Sequence, residues 1–141
     1  MKRTVQALAL LAALAAWLPA CGGSLEQAGS SISISIASPA TTSNVDVTSD
    51  MVVEISDPDD VGISVPASWS SVFRLREVGS EENICTDDLI VYDAGAEPQT
   101  VTCSPGVLGP MTQYALSISG MTDSAGARID PASLAFATGT P

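Results

Sequence analysis

The stretch Ser31-Ile32-Ser33-Ile34-Ser35-Ile36 puts isoleucine at every second position with serine between. A strand turns successive side chains to opposite faces, whereas a helix would scatter these isoleucines around its circumference. The segment therefore reads as a strand with one buried and one wetted face. A low-complexity serine tract does not account for it, because every second residue is β-branched and apolar. The same period recurs downstream. "DMVVEIS" sets Met51, Val53 and Ile55 on one face, and "SVFRLREV" turns Phe73 and Leu75 inward with Arg74 and Arg76 outward. "LIVYD" and "QTVTC" follow, then "TQYALSIS" with Tyr114, Leu116 and Ile118 on a face, then "SLAFAT" with Leu134 and Phe136. Seven short strands separated by Gly, Pro, Asp and Ser turns predict an all-β chain folded as a single antiparallel sandwich. One helical turn is expected in "VPASWSS", started by Pro66 and placing Trp69 over the core. No internal repeat is visible.

Ahead of this pattern, Lys2 and Arg3 precede an unbroken apolar run from Ala7 to Leu18. A basic start, a short apolar stretch and small residues describe a secretory signal peptide. A membrane span needs roughly 20 apolar residues, more than this run supplies. A buried core helix would need a polar face, and the run has none.

Leu18-Pro19-Ala20-Cys21 resembles the lipobox of bacterial lipoproteins. The resemblance implies cleavage before Cys21, a diacylglycerol thioether on its sulfur, and a further acyl chain such as palmitate on the freed amine. One acyl chain binds a membrane only reversibly, at about 0.8 kcal/mol per buried methylene, so two or three are needed to hold a protein there. The expected organisation is a lipoprotein signal peptide over 1–20, a lipidated cysteine and flexible tether over 21–30, and the sandwich over 31–141. The expected location is the cell envelope, with Gly22 after the cysteine favouring the outer membrane of a diderm bacterium.

The chain has 16 acidic and 5 basic residues, no histidine, and a net charge of −11. Loss of Lys2 and Arg3 with the leader takes the charge to −13. Such a surface repels phosphate backbones and argues against a nucleic-acid partner. It also repels anionic headgroups, which leaves the membrane partner to the lipid anchor. Solubility alone is a sufficient reason for the charge. Without histidine, and with lysine only at Lys2, serine and cysteine triads, Schiff bases, Walker-type phosphate sites and histidine-held metals are unavailable. Aromatics at 4% leave no stacking platform for bases or sugars. Carboxylate chemistry and oxygen-ligated metals remain open.

Cys85 and Cys103 are an even pair in a chain bound for an oxidising compartment, which reads as a disulfide; the alternative is two buried thiols. A loop of this size adds about 3 kcal/mol in the chain-entropy picture.

The order of motifs resembles the bacterial Ig-like domains of surface-layer proteins. "SPATTSNVDVTSDMVVEIS" is similar to their opening. "TVTCSPGVLGPMTQYALSISGMTDSAGARI" is similar to their ending, with Pro105, Leu108, Thr112-x-Tyr114, Asp123-x-Ala125-Gly126 and a closing Phe136-Ala137-Thr138. The similarity covers about residues 33–78 and 98–139. It implies an Ig-like sandwich that works as a non-catalytic binding or structural module, with an envelope protein or surface polymer as partner. Ile55 stands where the family usually has phenylalanine, and residues 79–97, "GSEENICTDDLIVYDAGAE", have no counterpart. The disulfide is expected to staple that segment to the "QTVTC" strand. Tyr114 sits where an Ig tyrosine corner would tie down a loop, and Asp123 and Gly126 bracket a turn.

The most site-like stretch is "SDPDDVG", where Asp57, Asp59 and Asp60 offer hard oxygens beside Gly62. Calcium takes six to eight such ligands, which makes a calcium-dependent adhesion module the second reading. The spacing lacks the closing glutamate of an EF-hand, and Pro58 suits an ordinary solvated turn. Asp87 and Asp88 form a smaller acidic cluster on an exposed loop. A carboxylate-pair hydrolase is the remote third reading, since any acidic sandwich offers such pairs by chance. No catalytic residues and no cofactor are expected. Arg74 and Arg76 form an outward pair, with Glu81 or Glu82 as the expected ion partner.

Overall fold

The computed structural model describes residues 29–141. The leader, Cys21 and the first part of the tether lie outside the described residues. Seven strands form, β1 (Ser33–Ser38), β2 (Met51–Ser56), β3 (Phe73–Glu77), β4 (Ile90–Asp93), β5 (Gln99–Cys103), β6 (Gln113–Ile118) and β7 (Ala132–Ala137). They pair antiparallel in a four-stranded sheet ordered β1-β2-β5-β4 and a three-stranded sheet ordered β3-β6-β7. Numbered along the chain, that is the strand distribution of a constant-type Ig sandwich. The chain folds as an Ig-like sandwich.

The period-two pattern decides which faces meet. Met51, Val53 and Ile55 of β2 and Val101 of β5 face Phe73 and Leu75 of β3 and Leu116 and Ile118 of β6, all at most 1% exposed. Each such side chain contributes about 1.5–3 kcal/mol relative to exposure. A one-residue slip of register would turn each of these sets to water, so the alternation also fixes the pairing. Ile34 and Ile36 are only half-buried because β1 is an edge strand, whereas Ile32 just before it is buried.

After β1 the chain crosses to the other sheet. Ala137 N donates to the Thr42 carbonyl at 2.9 Å, Val45 N to the Ala137 carbonyl at 3.1 Å, and Gly139 N to the Val45 carbonyl at 2.9 Å. This short parallel contact covers the C-terminal end of β7 and holds the two sheets together along one side.

One feature differs from the sequence expectation. The helical turn is a 3-10 turn over Trp69–Ser71, and Pro66 lies outside it. Its start is set by Ser68, which a distant carboxylate holds, and not by the fixed φ of the proline. Trp69 is half-buried and tilts 49° against Tyr92, with ring centroids 5.0 Å apart. Residues 79–97, which have no counterpart in the resemblance, supply a second 3-10 turn, Asp87–Leu89, and then the expected "LIVYD" strand as β4, the edge strand that completes the four-stranded sheet.

Candidate functional site

Four groups of polar side chains stand out, and each is engaged in holding the fold. At one end of the sandwich the turn after β2 meets the β6–β7 hairpin and the entry of the chain. Asp123 is 5% exposed. One of its oxygens accepts from Ala125 N at 3.0 Å and Ala127 N at 2.9 Å, while the other accepts the Ser30 hydroxyl at 2.7 Å. The Ser30 hydroxyl and the amides of Ala127 and Ala125 hold its carboxyl below the usual carboxylate range. Gly126 takes φ 87 in this turn, a conformation that a Cβ would strain.

The aspartate turn lies beside it. Asp57 accepts from Val61 N at 2.9 Å through one oxygen and from Gly62 N at 2.8 Å through the other. Gly62 carbonyl in turn accepts from Ser124 N at 2.9 Å, and Ser64 N donates to the Thr122 carbonyl at 3.0 Å. Asp57 thus shapes the turn and ties it to the hairpin. Asp59 and Asp60 are exposed. Among the described residues no group of three or more His, Cys, Asp or Glu side chains is placed to hold a metal ion. The expected ligand set of Asp57, Asp59 and Asp60 is therefore not assembled. Proximity in sequence is not convergence of oxygens, and the best-placed carboxylate already faces two amides.

Along the β3–β4 side the segment 79–97 closes the sandwich. Cys85 and Cys103 are bonded, with their Cα atoms 6.0 Å apart, and both are fully buried. Asn83 fills four hydrogen bonds at the free edge of β3. Its oxygen accepts from Leu75 N at 2.9 Å and Cys85 N at 3.1 Å, and its amide donates to the Phe73 and Ser70 carbonyls at 3.1 Å each. Ile84 N adds a bond to the Leu75 carbonyl at 2.8 Å. Asp87, expected as solvated decoration, accepts from Ser70 N at 2.9 Å and from the Ser68 hydroxyl at 2.8 Å. These two donors lower its pKa, and they explain where the first 3-10 turn begins. Asp88 is exposed. Tyr92 donates its hydroxyl to Gln99 at 2.7 Å, and burial raises its pKa.

At the opposite end, the Tyr114 hydroxyl accepts from Gly109 N at 2.8 Å, the tyrosine-corner contact expected of an Ig-like chain. Thr138 accepts from Thr112 N at 3.0 Å and donates to the Gly109 carbonyl at 2.6 Å. Asp46 caps its own turn through the hydroxyl and amide of Thr48, which lower its pKa. Arg76 pairs with Glu81 at 3.7 Å, as the sequence suggested, while Arg74 points to solvent.

Reasoning from sequence found Asp123, Gly126, Tyr114 and the disulfide, and missed Asn83, Thr138 and the Ser68–Asp87 clasp. Thr138 carried a signal, as the last residue of the closing Phe-x-Thr strand. Asn83 carried none, since its partners lie up to 13 residues away.

A groove of about 540 Å³ lies between the aspartate turn and the β4–β5 connection, and it is acidic, bordered by Glu54, Asp57, Asp60 and Glu97. Among the described residues every buried side-chain nitrogen and oxygen has a hydrogen-bond partner. No helix among them is long and apolar enough to cross a membrane. No family model matches the chain, and a search of the curated proteins finds no match.

Proposed function

We propose that this chain is a bacterial envelope lipoprotein, anchored through acyl chains on Cys21, that displays one non-catalytic Ig-like module of the surface-layer-protein type. The observation that carries the anchor is Leu18-Pro19-Ala20-Cys21 directly after a basic start and a short apolar run. The observation that supports a module without chemistry is the use of its polar groups. Asp57, Asp87, Asp123, Asn83 and Tyr114 all hold loops or edges. Contacts then fall to the sheet faces, the exposed edges and the loops. The partner is an envelope protein or surface polymer and not a nucleic acid, in keeping with the acidic surface.

Ser30, clamped between Asp123 and the Arg128 carbonyl, is where the tether ends. A chain of about nine residues rich in glycine and serine would reach some 17 Å, which keeps the module close to the bilayer. Expression in a bacterium fed labelled palmitate tests the anchor. Label should appear on the wild-type chain in the membrane fraction, and Cys21→Ser should lose the label and leave that fraction. Label retained by Cys21→Ser would overturn the assignment.

A further inference from the structure

The outer faces of the two sheets are complementary in charge and in layout. On the three-stranded sheet the outward residues line up across the strands in three rows. Arg74 stands beside Ser117 and Ser133, Arg76 beside Ala115 and Ala135, and Val78, just past β3, beside Gln113 and Ala137. The outward positions of its strands carry two of the three arginines beyond the leader and no carboxylate, while Glu81, from the loop after β3, meets Arg76 at the rim. Its small side chains leave the sheet flat, and Val78 stands 58% exposed. Arg74 has no ion-pair partner among the described residues.

The four-stranded sheet shows the opposite sign. Val52, Thr102 and Val91 form one outward row, and Glu54, Thr100 and Asp93 form the next. Val91 is 66% exposed. No cation lies on this face, and the acidic groove at its end adds Asp57, Asp60 and Glu97. Rows on any sheet face repeat at roughly 7 Å, two residues of rise, so the two faces share one spacing. A row bearing Val78 and Ala137 beside arginines on one face meets a row bearing Val52 and Val91 beside carboxylates on the other.

We infer that the three-stranded face of one copy of this chain docks on the four-stranded face of a second copy. Val78 and Ala137 meet the Val52–Val91 row, Arg74 reaches Glu54 and Asp93, and Arg76 exchanges its exposed partner Glu81 for the carboxylates of the groove. The match uses two different faces, so it is heterologous and propagates as a row of molecules instead of closing as a dimer. Self-repulsion of an acidic protein opposes it, but exposed charges are screened beyond about 8 Å at physiological ionic strength, and the contact is shorter-ranged than that. Strand and row spacings give a contact of roughly 300 Å² on each copy. That is below the ~1,000 Å² total of a stable interface, which makes this a weak association of crowded copies.

Sedimentation equilibrium of the full chain in a nonionic detergent, over a rising concentration series, tests the inference. The weight-average mass should climb with concentration and fall back when salt is added. Arg74→Glu with Arg76→Glu should abolish the climb, and so should Glu54→Arg with Asp93→Arg. An equimolar mixture of the two variants should restore it, since each then offers the face that the other lacks. Restoration also shows that both variants are folded. A mass independent of concentration in the wild type, association that survives either reversal, or a mixture that stays unassociated would each overturn the inference.

Discussion

The two edges of the three-stranded sheet are protected in different ways. Along β3 the free edge is met by side chains, with Asn83 bonding both Leu75 N and the Phe73 carbonyl. Cys85 then staples the same segment to β5. Along β7 the cover is main chain. Thr42 and Val45 bond Ala137 and Gly139, and the cover ends there. Backbone alternation turns Ala135 and Ser133 the same way as Ala137, beyond that cover. An exposed edge invites pairing with other chains, and proteins blunt it by several devices. Here segment 79–97 locks one edge with a covalent bond and a saturated amide, while the other is left partly open. The lesson is that β3 depends on residues from outside the sheet, whereas β7 depends on the continuity of the chain that precedes β2.

Removing the lock should have the largest effect. Cys85→Ala with Cys103→Ala should lower unfolding free energy by about 2–5 kcal/mol, measured by urea denaturation. A loss near zero would mean that the segment holds itself in place without the bond. Asn83→Ala should come next, at about 2–4 kcal/mol, because the amides of Leu75 and Cys85 lose their acceptor. If Asn83→Ala cost no more than an exposed substitution, the edge would be covered by something other than this side chain. On the β7 side Thr138→Val keeps the shape but leaves Thr112 N without its acceptor, and about 1–2 kcal/mol is expected. A Thr138 effect larger than that of Asn83 would invert the comparison.

The smallest effect is a matter of pH. The folded-state pKa of Asp123 is lowered, so its contribution is fully present above the unfolded value of roughly 3.9 and fades as pH falls through the lower folded one. Asp87 acts in the same direction on the β3–β4 side. Asp123→Asn should therefore flatten part of the acid limb of a melting-temperature profile below about pH 4 and leave its shape unchanged near neutrality. An unchanged acid limb would remove Asp123 from the account.

How much of this was legible in the sequence depends on the distance over which each device operates. The strands of the core were readable because Met51-Val53-Ile55 and Tyr114-Leu116-Ile118 encode their own facing at a period of two. The Asp123–Gly126 turn was readable because its partners lie within four residues. Tyr114 reaches only five residues back, to Gly109, and its place at the head of a late strand carried the same information. Asn83 and Asp87 were not readable, since all their partners but Cys85 lie 8 to 19 residues away and are chosen by the path of the chain. Asp57 shows the converse hazard. Three aspartates within four positions look like a ligand set, yet Asp57 turns both its oxygens to its own turn. Segment 79–97 lacked a counterpart in the resemblance, but its "LIVYD" run already carried the strand that completes the sheet.

The central structural claim is that segment 79–97 is an integral clasp of the sandwich, and amide hydrogen exchange tests it most directly. In the oxidised full chain the amides of Leu75, Ile84 and Cys85 should be protected together with the β6 amides, while Ser133 and Ala135 exchange faster. Reduction should then release Ile84 and Cys85 before β6. If Leu75, Ile84 and Cys85 exchange as fast as an exposed loop in the oxidised protein, the clasp is not formed and the account of the β3 edge is wrong.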